Sequence, residues 1–207
     1  MDKRQRAREL AAESSNAGDP TAWFDKLYRE GVDVVPWADL RPNPNLVSFD
    51  GAGKTALVIG CGLGDDAEQL AQWGFSTTAF DISPTAIEEC RARFPQSTVR
   101  YEVGDLLNVP KVWREAFDFV LEIYTVQALP PAIRERAIEG AASLVKPGGK
   151  LLVIARGRAE TDPPGEMPWP LTRRELLLFT HFGLRQESFE DYIDEEAVRR
   201  FRAVFTR

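Results

Sequence analysis

The chain has 207 residues, 43% hydrophobic and 28% charged, a composition typical of a globular domain and not of a disordered or fibrous chain. A net charge of -6 argues against a nucleic-acid partner, because phosphate binding needs a basic face. No apolar run approaches the ~20 residues that span a bilayer, and the charged start lacks a secretion signal, so we expect a cytoplasmic protein with no membrane partner. Two cysteines and one histidine offer no disulfide framework, zinc site or histidine-based triad, so we expect no metal.

The first part of the chain is predicted to be a helical arm. Residues 2–17 have the pattern of a polar helix, and a second helix is predicted where Asp19 precedes a proline and Gly31 follows the last turn. The proline-rich "VPWADLRPNPNLVSF" that follows favours an ordered connection. We therefore expect residues 1–48 to form a lid or arm and residues 49–207 to form the main domain, together in one compact unit.

The middle of the chain alternates short apolar runs with helical segments. The predicted strands are Ala56–Ile59, Thr77–Phe80, Thr98–Val103, Phe117–Ile123 and Lys150–Ala155. The predicted helices are Asp65–Trp73, Pro84–Phe94 and Pro131–Val145, the last of them stopped by "KPGG". Strands that alternate with helices of this length predict a parallel sheet with right-handed crossovers.

The last fifty residues have a different pattern. Thr172 followed by Glu175 is a capping box that opens a helix. Two strands, "LRQESF" and "VRRFRAVF", are joined by the acidic turn "EDYIDEE" with no helix between them, so they must pair antiparallel. The predicted fold class is α/β: a doubly wound, mostly parallel seven-stranded sheet with an antiparallel C-terminal hairpin, of the Rossmann-like type.

Three glycines, Gly60, Gly62 and Gly64, follow the first strand in "LVIGCGLGDD". Ligands of open α/β sheets lie beyond the carboxyl ends of the strands, where the winding reverses. Glycine allows a positive φ and lets the backbone approach a ligand closely. The loop therefore suits ligand binding, although a plain tight turn is the alternative.

A carboxylate at the end of the second strand favours ligand binding. Asp81 follows Gly60 by 21 residues, at the place where an acid accepts hydrogen bonds from both hydroxyls of a ribose. The alternative is that Asp81 stabilises the dipole of the following helix. Since Ser83 already caps that helix, the ribose interpretation is favoured.

The residues after the glycines bear on the kind of nucleotide. A dinucleotide fingerprint would have its third glycine where Asp65 stands, and Asp66 follows it. Two carboxylates at a helix start would repel a pyrophosphate. A ligand that is cationic near this loop, an adenosyl sulfonium with an amino-acid tail, fits better. A nicotinamide-dependent oxidoreductase is the alternative, disfavoured by Asp65 and by the closing hairpin.

The ends of the next strands extend this pattern. Asp105, in "VGDLLNV", ends the third strand, where its carboxylate or the neighbouring backbone can read an adenine edge; an ordinary aspartate turn is the alternative. The segment "EIYT" ends the fourth strand and continues into a long irregular connection, a position suited to the reacting centre.

Taken in order with "LVKPGGKLLVIA", these stretches resemble the class I S-adenosylmethionine-dependent methyltransferases over about residues 50–207. The resemblance implies the methyltransferase form of the Rossmann-like fold, S-adenosylmethionine as cofactor with S-adenosylhomocysteine as product, and in-line methyl transfer to a small molecule. A protein that binds the cofactor without catalysis is the further alternative. The residues that the resemblance places at the cofactor are Gly60, Cys61, Gly62 and Gly64 for the methionine part, Asp81 and Ile82 for the ribose, and Asp105 and Leu106 for the adenine.

The arm adds a narrower resemblance. "WFDKLYREGVDVVPW" and "RPNPNL" are similar to the lid of the small thiol, halide and thiopurine methyltransferases, although Ile59 stands where that group has a proline. The lid candidates that this implies are Trp23, Tyr28, Trp37 and Trp169, of which Trp23 and Trp37 are expected at the cofactor. Packing against the edge of the sheet is the alternative for each.

Glu122 and Tyr124 are the candidates for the reacting centre. Glu122 would position or deprotonate an acceptor, or else bind the cofactor or a loop; Tyr124 would orient the methyl group or stack on the adenosyl side. Gln127 is a lesser candidate. Arg156 and Arg158 would bind an anionic acceptor, unless they are simply solvated. Thiolates and halides need no protein base, whereas a phenol or an amine can need one.

Overall fold

Seven strands form one sheet in the computed structural model, which describes residues 2–207. The strands are β1 (Thr55–Ile59), β2 (Ser76–Asp81), β3 (Arg100–Val103), β4 (Phe117–Ile123), β5 (Val145–Arg156), β6 (Arg185–Ile193) and β7 (Arg199–Thr206). The helices are α1 (Lys3–Asn16), α2 (Trp23–Arg29), α3 (Asp65–Gln72), α4 (Pro84–Arg93), α5 (Pro131–Ser143) and α6 (Arg173–Leu177). None of the helices within residues 2–207 has the length and apolar character needed to cross a bilayer.

The strand order is β3-β2-β1-β4-β5-β7-β6. Strands β1 to β5 are parallel, and β7 pairs antiparallel with both β5 and β6. The winding reverses between β1 and β4, so the carboxyl ends of these strands open a crevice at that point. The predicted doubly wound sheet with its C-terminal hairpin is confirmed.

Each face of the sheet is covered by helices. Ala137, Ile138 and Ala141 of α5 pack on the face that carries Leu57 and Val120. On the opposite face, buried side chains of the other helices cover the alternate residues of the same strands; they include Ala67 and Leu70 from α3 and Ile87 and Cys90 from α4. Burial on both faces explains why β1 and β4 are almost continuously apolar in sequence.

Several predicted boundaries were wrong. Helix α2 begins at Trp23, because the carboxylate of Asp19 accepts hydrogen bonds from the backbone N–H groups of Thr21 and Ala22 and so forms a turn first. The "KPGG" stretch lies within β5, where the pairing with β4 is irregular. Strand β6 extends to Ile193 and includes the first four residues, "EDYI", of the predicted acidic turn. The capping box at Thr172 is confirmed.

The N-terminal arm has its own apolar cluster. Leu10 of α1 packs with Trp23 and Leu27 of α2, and the cluster continues onto Leu63 and other residues of the main domain. A polar contact fixes its orientation: Asp25 accepts hydrogen bonds from the Ser83 hydroxyl (2.8 Å) and the Thr85 N–H (3.1 Å) at the start of α4. The arm is thereby held over the carboxyl ends of the strands.

Candidate active site

A cavity of about 290 Å³ lies between the carboxyl ends of the strands and the arm. The sequence-predicted site residues that line it are Gly60, Cys61, Gly62, Asp81, Ile82, Asp105, Leu106, Tyr124 and Trp37. Gly64, Glu122 and Trp23 do not line it. Loops from four parallel strands and the arm therefore meet at one space.

The loop after β1 presents bare backbone to this space. Gly60 and Gly62 have φ values of 58° and 55°, a left-handed conformation that favours glycine. A Cβ on Gly60 would overlap the Thr125 hydroxyl, and one on Gly62 would lie 3.2 Å from the Tyr28 hydroxyl. The Cys61 N–H donates to the Phe80 carbonyl (2.9 Å), which fixes the loop against β2. Gly60 and Gly62 therefore cannot be replaced by larger residues without strain or a clash.

The carboxylate of Asp81 lies beside this loop and is buried. Its Oδ2 accepts from the Gly62 N–H (3.0 Å) and its Oδ1 from the Ser83 N–H (2.9 Å). Burial raises the pKa of Asp81 to about 6, although both hydrogen bonds favour the ionised form. Each carboxylate oxygen has a second lone pair, so Asp81 can also accept from hydroxyls in the cavity.

Gly64 supports the loop from behind. It precedes α3 with φ of 89°, and a Cβ there would lie 2.6 Å from the Tyr101 hydroxyl and 3.1 Å from Cys90 Sγ. The Cys90 thiol donates to the Gly62 carbonyl (3.1 Å). Gly64 is thus required by packing within the protein and not by contact with the cavity.

The two aspartates at the start of α3 are bound within the protein. Asp65 forms two hydrogen bonds of 2.8 Å with Arg93, which balances its charge. Asp66 accepts from the Asn43 N–H of the arm (2.7 Å), and burial raises its pKa to about 6. Both residues also line the cavity, and the expectation that they favour a ligand that is cationic near this loop stays a prediction.

Glu122 lies beneath the cavity at the end of β4. Its Oε1 accepts from the N–H groups of Thr125 (2.8 Å) and Val126 (2.9 Å), and its Oε2 has no hydrogen-bond partner within residues 2–207. Burial raises the pKa of Glu122 to about 7. The carboxylate holds the loop that follows β4, which is one of the alternatives that the sequence left open.

Tyr124 reaches the cavity because its backbone turns sharply after β4. Its φ is 62°, and its N–H donates to the Ile154 carbonyl (3.0 Å). Its hydroxyl accepts from the Asn45 side-chain amide (3.3 Å), and the Arg200 guanidinium lies 4.9 Å from the centre of its ring. Tyr124 therefore joins the arm and the hairpin at the floor of the cavity.

The arm forms the roof. The Trp37 indole N–H donates to the Tyr28 hydroxyl (2.8 Å), and both side chains line the cavity. The Tyr192 hydroxyl of β6 donates to the Asn45 side-chain carbonyl (2.8 Å), which joins the arm to the hairpin. Trp23 instead stacks on Phe24 inside the arm, with ring centres 4.0 Å apart. Of the proposed lid residues, Trp169 also lies outside this cavity.

The region beyond β5 completes the wall. Gln127 and Arg156 line the cavity, and the Gln127 side-chain oxygen accepts from the Arg156 backbone N–H (2.6 Å). Arg158 points away and donates to the Pro170 carbonyl (3.0 Å). Thr125 of the predicted "EIYT" segment and Asn43 and Asn45 of the predicted lid segment "RPNPNL" also line the cavity. Lining residues that the sequence did not indicate include Arg4 and Arg200. They come from the arm and the hairpin, whose positions depend on tertiary packing rather than on a local motif.

Comparison with known proteins identifies related chains. Residues 56–149 match a sequence family described as a methyltransferase domain. A probable thiol methyltransferase 2 of Arabidopsis thaliana is 27% identical over 151 residues, 70% of this chain and 64% of that protein. A ubiquinone biosynthesis O-methyltransferase of Xanthomonas axonopodis pv. citri is 31% identical over 109 residues, 52% of this chain and 45% of that protein. The matched part of this chain thus spans less than two thirds of either relative.

Solved structures show the same fold. A protein from work on the conversion of a disulfide bond into a thioacetal group during echinomycin biosynthesis has a TM-score of 0.72 and 21% identity, over 90% of this chain and 91% of that one. Two methyltransferases of this fold were solved with S-adenosylhomocysteine bound.

Proposed function

Because the chain belongs to the class I S-adenosylmethionine-dependent methyltransferases, we propose that it methylates a small thiol at the cavity beneath the arm. The observation that carries this proposal is the set of groups that line one cavity: the backbone of Gly60 and Gly62, the Asp81 carboxylate and the Asp105 carboxylate. These groups stand at the ends of β1, β2 and β3 in that order. We assign them, in the same order, to the methionine part, the ribose and the adenine of the cofactor.

S-adenosylmethionine supplies an electrophilic methyl group on a positively charged sulfur. The backbone of Gly60 and Gly62 lines the cavity, and it would contact the methionine part closely because neither residue carries a Cβ. Asp81 would accept the ribose hydroxyls, and Asp105 with Leu106 would contact the adenine. The methyl group would then face the region of Tyr124, one strand further along the sheet.

The roof limits the size of the acceptor. Trp37, Tyr28 and Asn45 cover the cavity and are fixed by hydrogen bonds to each other or to the hairpin. The arm over the cavity therefore favours a small molecule over a folded protein or a nucleic acid as acceptor. A small molecule held there is shielded from water, which otherwise solvates the nucleophile.

The side chains near Tyr124 favour an acceptor that needs no base. Burial raises the pKa of Tyr124, and Glu196 is ion-paired with Arg200 (3.1 Å). Glu122 lies outside the cavity. A thiol ionises near neutral pH, with a pKa of about 8.5 for cysteine, whereas a phenol such as tyrosine has a pKa of about 10. Similarity to a probable thiol methyltransferase supports the same acceptor.

In the reaction we propose, the thiolate sulfur of the acceptor forms a bond to the methyl carbon as the bond from that carbon to the sulfonium breaks. The products are a methyl thioether and S-adenosylhomocysteine, and the thiol proton passes to solvent. The protein contributes by aligning the reactants, which is worth roughly 7–11 kcal/mol in well-oriented reactions. Tyr124 and the roof would fix that alignment.

A matched pair of acceptors tests the proposal. Methyl transfer from S-adenosylmethionine is measured with thiophenol and with phenol at neutral pH. We expect turnover of thiophenol at least about a hundredfold faster, because only the thiol is largely ionised without a base. Faster transfer to phenol would contradict the thiol assignment. Absence of transfer to a wider panel of thiols, phenols, amines and halides, despite tight binding of S-adenosylhomocysteine, would favour a binding protein without catalysis.

A further inference from the structure

The guanidinium group of Arg156 has no partner among residues 2–207. The residue ends β5 and lines the cavity, partly buried. Its backbone N–H is bound by Gln127, but its side chain forms no ion pair or hydrogen bond with any residue of the described chain, 2–207. Burial lowers the pKa of Arg156, and the nearby positive charges of Arg4 and Arg200 lower it further.

The neighbouring arginines differ in this respect. Arg200 is ion-paired with both Asp194 and Glu196. Arg158 is bound by Glu175 and by the Pro170 carbonyl. Arg156 and Arg200 both line the cavity, but of these three arginines only Arg156 has a side chain without an ion pair or hydrogen bond within residues 2–207. The negative charge of Glu196 offsets only part of the repulsion from Arg4 and Arg200. Partly burying an unpaired cation is unfavourable, so such a group is typical of a site that an anion occupies.

A second cation reaches the same region from the arm. Arg4, in the first turn of α1, lines the cavity and forms no ion pair within residues 2–207. Two guanidinium groups that repel each other in a partly enclosed space would both be stabilised by a negatively charged group between them. Guanidinium groups bind carboxylates through paired hydrogen bonds, which adds geometric selectivity.

The position of Arg156 separates it from the cofactor groups. Strand β4 lies between β1, which carries the glycine loop, and β5, which carries Arg156. Adjacent strands are about 4.8 Å apart, so Arg156 is roughly 10 Å from the loop expected to hold the methionine part. Tyr124, at the end of β4, lies between them. The geometry points to an acceptor that carries an anionic group, such as a carboxylate, bound by Arg156 together with Arg4.

This inference rests on the proposed function, because it assigns the region beyond Tyr124 to the methyl acceptor. It can be tested with 4-mercaptobenzoate and thiophenol, two thiols that differ only in a carboxylate. We expect the wild-type protein to have a kcat/KM about ten- to a hundredfold higher for 4-mercaptobenzoate. Arg156→Gln should bring the ratio of the two values close to one, and Arg156→Lys should retain part of it.

The matched control is Arg185→Gln, which removes the same charge from an exposed position on β6 outside the cavity. It should leave the preference unchanged. Equal kcat/KM values for the two thiols in the wild-type protein, or a preference that survives in Arg156→Gln, would overturn the inference. A weaker affinity of Arg156→Gln for S-adenosylhomocysteine with the preference intact would also overturn it, because Arg156 would then serve the cofactor.

Calorimetric binding of both thiols to the complex with S-adenosylhomocysteine distinguishes this inference from the proposed function. If 4-mercaptobenzoate binds more tightly than thiophenol and Arg156→Gln removes the difference, the inference stands even where no methyl transfer occurs, and the proposed activity fails alone. If neither thiol binds, or both bind equally, the inference fails whatever the activity.

Discussion

At the scale of single residues, the most unusual group is the carboxyl of Glu122. It has no exposed surface, two backbone hydrogen bonds on one oxygen and none on the other within residues 2–207. Burial outweighs the two hydrogen bonds, so its pKa rises from 4.5 to about 7. The folded state therefore holds a proton that the unfolded state has lost at intermediate pH.

This difference predicts a pH dependence of stability. Since the pKa of Glu122 is raised on folding, its contribution is fully present below the unfolded pKa and is lost as pH rises towards 7. The free energy of unfolding of the wild-type protein relative to Glu122→Gln should fall by roughly 2–3 kcal/mol between about pH 5 and about pH 8. Urea unfolding at several pH values measures it.

The control for this measurement is Glu139→Gln, on the exposed face of α5. Its unfolding free energy should follow that of the wild-type protein at every pH. Asp66 and Asp81, whose pKa values are also raised to about 6, add to the slope in all three proteins and cancel in the comparison. A Glu122→Gln variant with the wild-type slope would show that Glu122 is ionised throughout.

At the scale of elements, one side chain joins three parts of the fold. Asn45 of the arm is bound through its side chain to Tyr192 of β6 and Tyr124 after β4, and through its carbonyl to Arg202 of β7 (3.0 Å). The segment around it has no regular secondary structure. These hydrogen bonds, with that of Asp66 to Asn43, therefore hold the roof in place.

Removal of one hydroxyl should loosen the roof. Tyr192→Phe leaves the buried Asn45 oxygen without its donor, at a cost of about 1–3 kcal/mol. We expect amide hydrogen exchange at Asn43, Asn45 and Leu46 to become at least about fivefold faster. Tyr101→Phe is the control, because its hydroxyl bonds Glu68 on the far side of the glycine loop (2.7 Å). Unchanged exchange in Tyr192→Phe would mean that other contacts hold the arm.

Elements with strong local signals could be predicted from the sequence, and elements set by packing could not. The glycine loop and Asp81 lie at fixed places relative to their strands, so their positions follow from the pattern of apolar runs. The direction of the Glu122 side chain depends on the loop after β4, which curls back to donate two N–H groups. Arg200 reaches the cavity only through the register of β7 on β5.

At the scale of the whole molecule, the cavity joins the arm, the parallel strands and the hairpin, so a ligand there should stabilise the entire fold. At a concentration of S-adenosylhomocysteine a hundred times its Kd, the gain is about 2.7 kcal/mol. For a chain of this size that corresponds to a rise in Tm of roughly 5–10 °C. NADH at the same concentration should give no rise, since we assign the site to S-adenosylmethionine.

A variant of Asp81 provides the control for this rise. Asp81→Ala should weaken S-adenosylhomocysteine about a hundredfold through loss of the ribose hydrogen bonds, leaving a rise in Tm of roughly 1–2 °C at the same concentration. Differential scanning fluorimetry gives both values. A full rise in Asp81→Ala, or an equal rise with NADH, would place the nucleotide elsewhere and remove the basis of the proposed function.

The residues that line the cavity come from distant parts of the sequence, and this has an evolutionary consequence. The proposed donor site is built from the loops after β1, β2 and β3, whereas Arg4, Asn45 and Arg200 come from the first and last quarters of the sequence. Substitutions near either terminus could therefore change which acceptor the enzyme methylates and leave its binding of the methyl donor unchanged. Related enzymes with different acceptors would then differ mainly in residues near the two termini.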